Sequence, residues 1–589
     1  MHLRRILGLA PWPVRRRVMR QLELRLLPRV PADRRLRTAR RLAPLGPRRR
    51  LLPPPADAPA MRVRTAAARL TARRSPWSDP ASVRRENLDR VVAALETAGI
   101  DWFRVPADSL TRTAVAVPED DRERVLEVLA ALTAAEVGRL EIVGRRATTR
   151  LLRVSWPVTD TGGHIVYGTE YACEVELWRA ADGRLTGPRP NPVASSVPAG
   201  EPGTLAPEPV FGSFGVPGPL PRYRTREIFT MVSPDRVAFP IDAVYTWVDG
   251  EDPGWYERKA RALRDNGWVA GSSGQTANRS RFVSRDELRY SLRSLHAFAP
   301  WIRHVFLVTD DQVPAWLDLD RADLTVVSHR EIFGDTGRLP TFNSQAIESR
   351  LHRIPGLAEH FLYLNDDVFL GRPVPPEMFF TPGGLTRFFP STARVDSAPR
   401  RPGDTPANSA GKNNRDLIRD AFGRVLTRKM KHTPHPSRRS VLAEIELRFA
   451  DEVAATAGHQ FRHPEDIALL SSLQQYYAYL TGRAAPGEIE YLYTDLADPA
   501  TPFRLARLLH NRNLDAFCLN DTDSADDLAP EQAALLAEFL PAYLPFPSRW
   551  ELAEPRPGTM PLSPVAAPVI GRQATRAPRP APLTERPLA

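Results

Sequence analysis

Cysteine is nearly absent, with Cys173 and Cys518 the only two in 589 residues. Two thiols so far apart build no disulfide framework, and without paired Cys spacing neither a zinc finger nor another Cys-based metal site is expected. Such usage suits a reducing compartment. Long apolar runs are missing too. No stretch of about 18 uncharged apolar residues occurs, which excludes an ordinary transmembrane helix. The first apolar run is short and broken by Pro and Arg, so it makes a poor signal peptide. A cytoplasmic location is the expectation. The sequence also lacks internal repeats and any RNA-binding aromatic signature, so nucleic acid is not expected as a partner.

Proline and arginine are in excess. The 59 prolines are about twice the usual share. Lys and Arg number 81 against 69 Asp and Glu, a net charge of +12, with the excess concentrated before about residue 75. Residues 1–80 are read as a basic, mobile Arg/Pro-rich arm. Within it, residues 14–27 fit either a solvated tail or a basic amphipathic helix in peripheral contact with an anionic membrane at its inner face. Residues 84–182 carry two helical patterns and several short strand patterns, an α/β or α+β accessory domain. Residues 183–237, rich in Pro and Gly, read as a linker or wrapping arm, and 551–589 as a disordered Pro/Ala tail.

Residues 238–550 behave differently. Four short apolar runs, Ile241–Trp247, His304–Asp311, Leu324–His329 and His360–Asp367, are mostly separated by helical patterns. That alternation predicts an α/β fold with a doubly wound, mainly parallel sheet, like a nucleotide-sugar transferase core. Ser284 and Glu287 have capping-box spacing before a stripe of Leu288, Leu292, Leu295 and Phe298.

Three of these runs end in acids: Asp249, then Asp310 with Asp311, then Asp366 with Asp367. Ligands of open α/β sheets bind beyond the carboxyl ends of the strands. Clustered carboxylates without Cys suit Mg²⁺ or Mn²⁺. A single Asp at a strand end is as readily a turn residue or helix cap. Asn365-Asp366-Asp367 is different, because two acids and an amide directly after HFLYL are costly unless paired or metal-bound. Both acids reach one ion only if the strand ends there. Downstream, His435 lies in HTPHP between two prolines, a stiff turn and a candidate acid or base. Arg462 in FRHPEDIA, whose Pro464 suits a helix start, is a candidate phosphate ligand because its planar fork binds two oxygens. Asn408 and Lys412 in NSAGKNN fit a flexible loop or added phosphate contacts.

IDAVYTWVDGEDPGW, SRDELRYSLRSLHAFAPWIRHVFLVTDDQVPAWL, the HTPHP to FRHPEDIA stretch and FCLND resemble, in order, the four blocks of the Stealth family. That family includes bacterial capsular polysaccharide phosphotransferases and the catalytic subunit of the animal lysosomal-enzyme GlcNAc-1-phosphotransferase. The resemblance covers roughly residues 238–525. It implies an enzyme that moves a hexose 1-phosphate from a nucleotide-diphosphate sugar donor to a hydroxyl of a polysaccharide acceptor, with a divalent metal. It also implies that Asp366, Asp367, His435 and Arg462 are catalytic, with Asp366 and Asp367 holding the metal. Tyr245, Trp247, Asp249, Gly250, Asp252, Ser284, Arg285, Glu287, Arg289 and Asn365 would line the nucleotide and phosphate site. Asp249 stands where the animal enzymes carry Asn. Two rival readings are a glycosyltransferase releasing a nucleoside diphosphate and a basic membrane- or nucleic-acid-binding scaffold.

Overall fold

Each apolar run becomes a strand: β1 (Ile241–Thr246), β2 (Val305–Thr309), β3 (Leu324–Ser328) and β4 (His360–Asn365). The computed structural model describes residues 59–64, 69–144, 150–215, 221–267, 279–521, 528–553 and 560–561. The four strands run parallel in the order β3-β2-β1-β4. Asp366 and Asp367 form the turn from β4 into β5 (Val368–Leu370). A fifth strand of the main sheet, β6 (His435–Arg438), pairs antiparallel with the outer edge of β4. Proline is tolerated on such an edge, where no further strand needs its missing N–H. HTPHP therefore enters a strand, where a stiff turn was expected. A smaller sheet joins β5 to β7 (Tyr491–Asp495) and β8 (Ala516–Asn520), in the order β5-β8-β7.

Both faces of the main sheet are covered, which explains why its strands read as unbroken apolar runs. Ile241, Ala243 and Tyr245 of β1 and Leu362 and Leu364 of β4 face one core. Val244, Phe361 and Tyr363 face the other. The first core takes Leu288, Leu292, Leu295 and Phe298 from helix α2 (Glu287–Phe298), which follows α1 (Pro253–Asp265). The second takes Ile418 from α3 (Pro406–Phe422), Leu442 and Ile445 from α4 (Arg439–Arg448), and Val453 from α5 (Ala450–Gly458). Each fully buried aliphatic side chain contributes about 1.5–3 kcal/mol relative to exposure.

Local elements depart from expectation for identifiable reasons. Helix α2 starts at Glu287 and is preceded by Asp286 in the left-handed region (φ 68°), with no side-chain cap. That reversal separates Ser284 from the first turn, and Glu287 accepts the backbone N–H of Arg285 instead. Asn408 and Lys412 sit in α3, capped by Thr405, and not in a loop. Helices α4 and α5 are separated at Phe449, whose φ −119° and ψ 49° leave the helical region. No helix starts at Pro464. Asp466 is fully buried and accepts from the His463 backbone N–H (2.7 Å) and Asn343 Nδ2 (2.8 Å), which closes a turn.

The preceding residues form an α+β module with helices Pro80–Thr97 and Arg122–Ala135 packed on a sheet that includes Thr113–Pro118 and Cys173–Ala181. Part of the arm expected to be mobile and the stretch expected as a linker or wrapping arm both take part. Ala60–Arg64 and Arg69–Arg74 pair antiparallel and bury Val63 and Ala72, whose apolar spacing the surrounding arginines obscured. The remainder of the basic arm, residues 1–58, lies outside the described residues, as does the stretch 14–27. Residues 183–237 contain strands Arg184–Thr186, Ser196–Pro198, Gly203–Pro207 and Arg222–Arg226. They bury Ala206, Phe211, Tyr223 and Phe229 in the module's core, so this stretch wraps rather than merely links. Most of the C-terminal tail is likewise outside the described residues, but Glu551 at its start is buried. Among the described residues no helix is long and apolar enough to cross a membrane.

Candidate active site

A cavity of about 560 Å³ opens at the carboxyl ends of β1 and β4. This is the crevice where strand order reverses, β2 lying on one side of β1 and β4 on the other. Its wall includes Trp247, Arg285, Glu287, Asn365, Asp366, Asp367, His435 and Arg462. Segments far apart in sequence thus meet around one cavity.

The acids form one end. Because β4 stops at Asn365, Asp366 and Asp367 occupy a turn and escape the strand's alternation. Burial, then the neighbouring Asp367 and Glu287, raises the pKa of Asp366 well above the carboxylate range. Burial likewise pushes Glu287 up to about 7, with Asp367 adding to it. Asp367 Oδ2 accepts from Asn520 Nδ2 (3.1 Å) and from the Cys518 thiol (3.3 Å). Its Oδ1 is buried without a partner. Three carboxylates in mutual repulsion around an unsatisfied oxygen, with Arg285 3.8 Å from Glu287 as a cationic neighbour, are a set of hard donors.

Cations line other parts of the wall. Arg462 donates from Nη2 to Ser344 Oγ at 2.9 Å. Burial lowers its pKa, and Glu348 opposes that shift. Arg281 is pushed down to about 9 by burial and then by Arg462. Two guanidinium groups close enough to repel one another suit an anion with more than one oxygen to share. Lys429 and Lys431 also line the cavity. The His435 ring is buried, its Nε2 has no hydrogen-bond partner, and burial followed by His432 lowers its pKa to about 3. It is therefore neutral at ordinary pH.

The structure moves other expected site residues off the wall. Tyr245 is fully buried beneath it, its hydroxyl 3.0 Å from Ser291 Oγ, because β1 alternation turns it into the core. Asp249 uses its backbone to exchange hydrogen bonds with the Gln312 side chain and accepts the Glu251 N–H. Gly250 donates to Phe282 O at 2.8 Å. Asp252 caps α1 through Trp255 N at 2.7 Å. Ser284 is half-buried in the loop before α2. Arg289 turns to Glu551 at 2.5 Å. The Asp249-for-Asn difference thus falls behind the lining. Arg285, which does line the cavity, is tied to Asp521 at 2.6 Å. Asp310 and Asp311 are also paired elsewhere, with Arg258 (2.8 Å) and Arg330 (3.0 Å). Lys412 is likewise committed, to Asp404 at 2.8 Å, and Asn408 accepts from Lys429 at 2.6 Å.

Sequence reasoning overlooked His432, Tyr493 and Asn520 with Asp521, all on the wall. A signal existed for the last pair. FCLND repeats the apolar-run-then-acid pattern of HFLYLND, and its strand β8 runs beside β5 so that both LND segments reach the same cavity.

Residues 239–267, 281–388, 431–479 and 506–561 match Stealth protein conserved regions 1, 2, 3 and 4. An exopolysaccharide phosphotransferase of Streptomyces coelicolor is 46% identical over 502 residues, covering 81% of this chain and 84% of that one. A second from the same organism is 44% identical over 499 residues, covering 81% and 91%. The exopolysaccharide phosphotransferase CpsY of Mycobacterium tuberculosis is 43% identical over 316 residues, covering 54% and 58%. A galactosyltransferase crystal structure with donor and acceptor sugar analogs aligns over 51% of this chain and 95% of that one, but at 11% identity and a TM-score of 0.27 it carries no weight here. With all four conserved regions in order and relatives matched over most of their length, the chain belongs to the Stealth family and is a sugar-phosphate transferase.

Proposed function

We propose that the enzyme transfers a hexose 1-phosphate, such as GlcNAc 1-phosphate, from a nucleotide-diphosphate sugar to a hydroxyl of a growing exopolysaccharide, with release of a nucleoside monophosphate. One observation carries this reading: a single cavity joins a carboxylate cluster at Asp366, Asp367 and Glu287 to half-buried guanidinium groups at Arg462 and Arg281. A diphosphate carries negative oxygens for the second group and, through a divalent ion, for the first.

The carboxylate oxygens fit Mg²⁺ or Mn²⁺, with Asp366 and Asp367 as the residues that would hold it. Such an ion, when bound, neutralises charge on the phosphoryl oxygens. The remaining work belongs to the chain. Arg462, fixed by Ser344, presents its fork to the phosphoryl oxygens and stabilises the charge that gathers there in the transition state. His435, kept neutral by burial, accepts the proton of the attacking hydroxyl at its unpaired ring nitrogen. An anionic donor in the cavity raises the basicity of that ring. The new bond joins the acceptor oxygen to the phosphorus next to the sugar. The bond that breaks is that phosphorus to the bridging oxygen, which leaves with the nucleoside monophosphate. Positioning dominates such a reaction.

The test is a panel of nucleotide sugars with Mg²⁺ or Mn²⁺ and a polysaccharide acceptor, followed by identification of the released nucleotide. A monophosphate that disappears on exhaustive chelation is expected. Release of a diphosphate makes the enzyme a glycosyltransferase and overturns the reading.

A further inference from the structure

Behind the carboxylate turn, Asp367 faces a second group of side chains whose chemistry differs from that of the acid cluster. Cys518 Sγ lies 3.3 Å from Asp367 Oδ2 and 3.2 Å from His432 Nδ1. The three ligand atoms of Asp367, His432 and Cys518 all fall within 4.8 Å of one another. On the far side of the imidazole, Nε2 is 3.1 Å from Asn365 Oδ1. An amide oxygen only accepts, so Nε2 carries the hydrogen in the neutral ring and Nδ1 directs a lone pair at the sulfur. This is the arrangement of a metal-ligating histidine whose other nitrogen is anchored by a carbonyl-type acceptor.

Nδ1, Sγ and Oδ2 have one hydrogen of their own among them, that of the thiol, while Oδ2 also accepts from Asn520 Nδ2 at 3.1 Å. Three facing donor atoms with one proton among them are suited to a cation. Tetrahedral zinc with ordinary Zn–S, Zn–N and Zn–O lengths has ligand-to-ligand edges of about 3.6 Å. The observed separations of 3.2 and 3.3 Å are slightly shorter, so a small outward shift admits the ion. Asp367 and His432 both line the cavity, which provides the entry path and the place for a fourth ligand.

We propose that Asp367, His432 and Cys518 form a site for a soft divalent cation of the zinc class, distinct in donor chemistry from a hard-ion site at the carboxylates, and that its occupancy withdraws Asp367 and inhibits transfer. Thiolate and imidazole donors select zinc-like ions over Mg²⁺. On binding, the S–H bond breaks, a sulfur–metal bond forms and the proton passes to solvent. The chain's two widely separated cysteines argued against a Cys-containing site, but here one thiol is completed by two non-Cys ligands. The inhibitory part of the proposal rests on the role given to Asp367 above. The binding part does not, and the experiment reads binding directly.

The full chain, freed of metal, is titrated with Co²⁺ as a spectroscopic stand-in for zinc, with Mg²⁺ in excess. The expected result is a thiolate-to-cobalt charge-transfer band that saturates at one equivalent, is displaced by Zn²⁺, and is lost in Cys518→Ser but kept in Cys173→Ser. His432→Gln, checked for native circular dichroism, should weaken Co²⁺ binding at least about tenfold, the lower end of what loss of a metal-site partner costs. No band, or a band that survives Cys518→Ser, overturns the proposal. If the band behaves as expected while Zn²⁺ leaves turnover untouched, binding stands and inhibition falls.

Discussion

Tyr363 on β4 and His435 on β6 are register partners across the antiparallel edge of the main sheet, with ring centroids 6.3 Å apart and nearly parallel. The strand pairing, more than any side-chain bond, fixes where the imidazole sits. His435→Ala should therefore keep the fold while turnover falls about 10²- to 10⁴-fold, the range for loss of a general base. Steady-state kinetics on a variant with an unchanged melting profile decides it. Near-normal turnover would make the ring structural.

The same residue has a stability signature. Burial lowers the folded pKa of His435 from 6.5 to about 3, so between those values the unfolded chain binds a proton that the folded chain does not. Its contribution is fully present above pH 6.5 and is lost as pH falls towards 3, at about 1.4 kcal/mol per pH unit. His435→Asn should make stability less acid-sensitive by about that slope. Glu287, raised to about 7, works in the opposite sense as pH rises, so the difference between variant and parent is the quantity to measure by chemical denaturation at pH 5, 6 and 7.

Arg462→Ala should cost about 2–4 kcal/mol of transition-state stabilisation, a loss of roughly 30- to 10³-fold in kcat/KM. Arg462→Lys should recover little, since an ammonium cannot span two phosphoryl oxygens while keeping the bond to Ser344. Full recovery by Lys would show that only charge matters.

Glu551 is almost wholly buried, 2.7 Å from Arg293 Nη2 and 2.5 Å from Arg289 Nε. Truncating one partner of a buried ion pair leaves the other charge without compensation. Glu551→Ala should lower folding stability by about 3–5 kcal/mol. A loss under 1 kcal/mol in equilibrium denaturation would show that water compensates the arginines.

Gly250 offers a test of the cavity's loop. A Cβ there would stand 2.4 Å from Phe282 O and 2.7 Å from Phe282 Cβ. Gly250→Ala must displace the backbone beside Arg281, at a cost of about 1–3 kcal/mol by the usual scale of overpacking. Under the proposed function it should also raise KM for the donor. Unchanged stability together with unchanged KM would show that the loop yields freely.

The parallel strands were legible because burial on both faces leaves an unbroken apolar run, as in HFLYL. The edge strand β6 was not, since two prolines in HTPHP argue for a turn unless the partner strand is known. Asp366 and Asp367 stood out because paired acids after such a run are costly. Tyr245, in an equally suggestive motif, was misplaced: the motif does not say which alternate residue turns inward. Arg289 was drawn to Glu551, more than 250 residues away in sequence, a pairing no local pattern discloses. Conversely, Arg-rich composition hid the strand pair at 60–74.

The acid turn is bonded to Cys518 across 151 residues of chain, and the cavity wall runs from Thr246 to Asp521. A nascent polypeptide that has emerged only through β5 already carries Asp366 and Asp367, yet it has neither the guanidinium of Arg462 nor the imidazole of His435. Contacts of such sequence separation form late, after the cost of closing long loops has been met. A chain ending before Asp521 therefore lacks part of the cavity wall, and the site exists only once the whole stretch from Thr246 to Asp521 has folded.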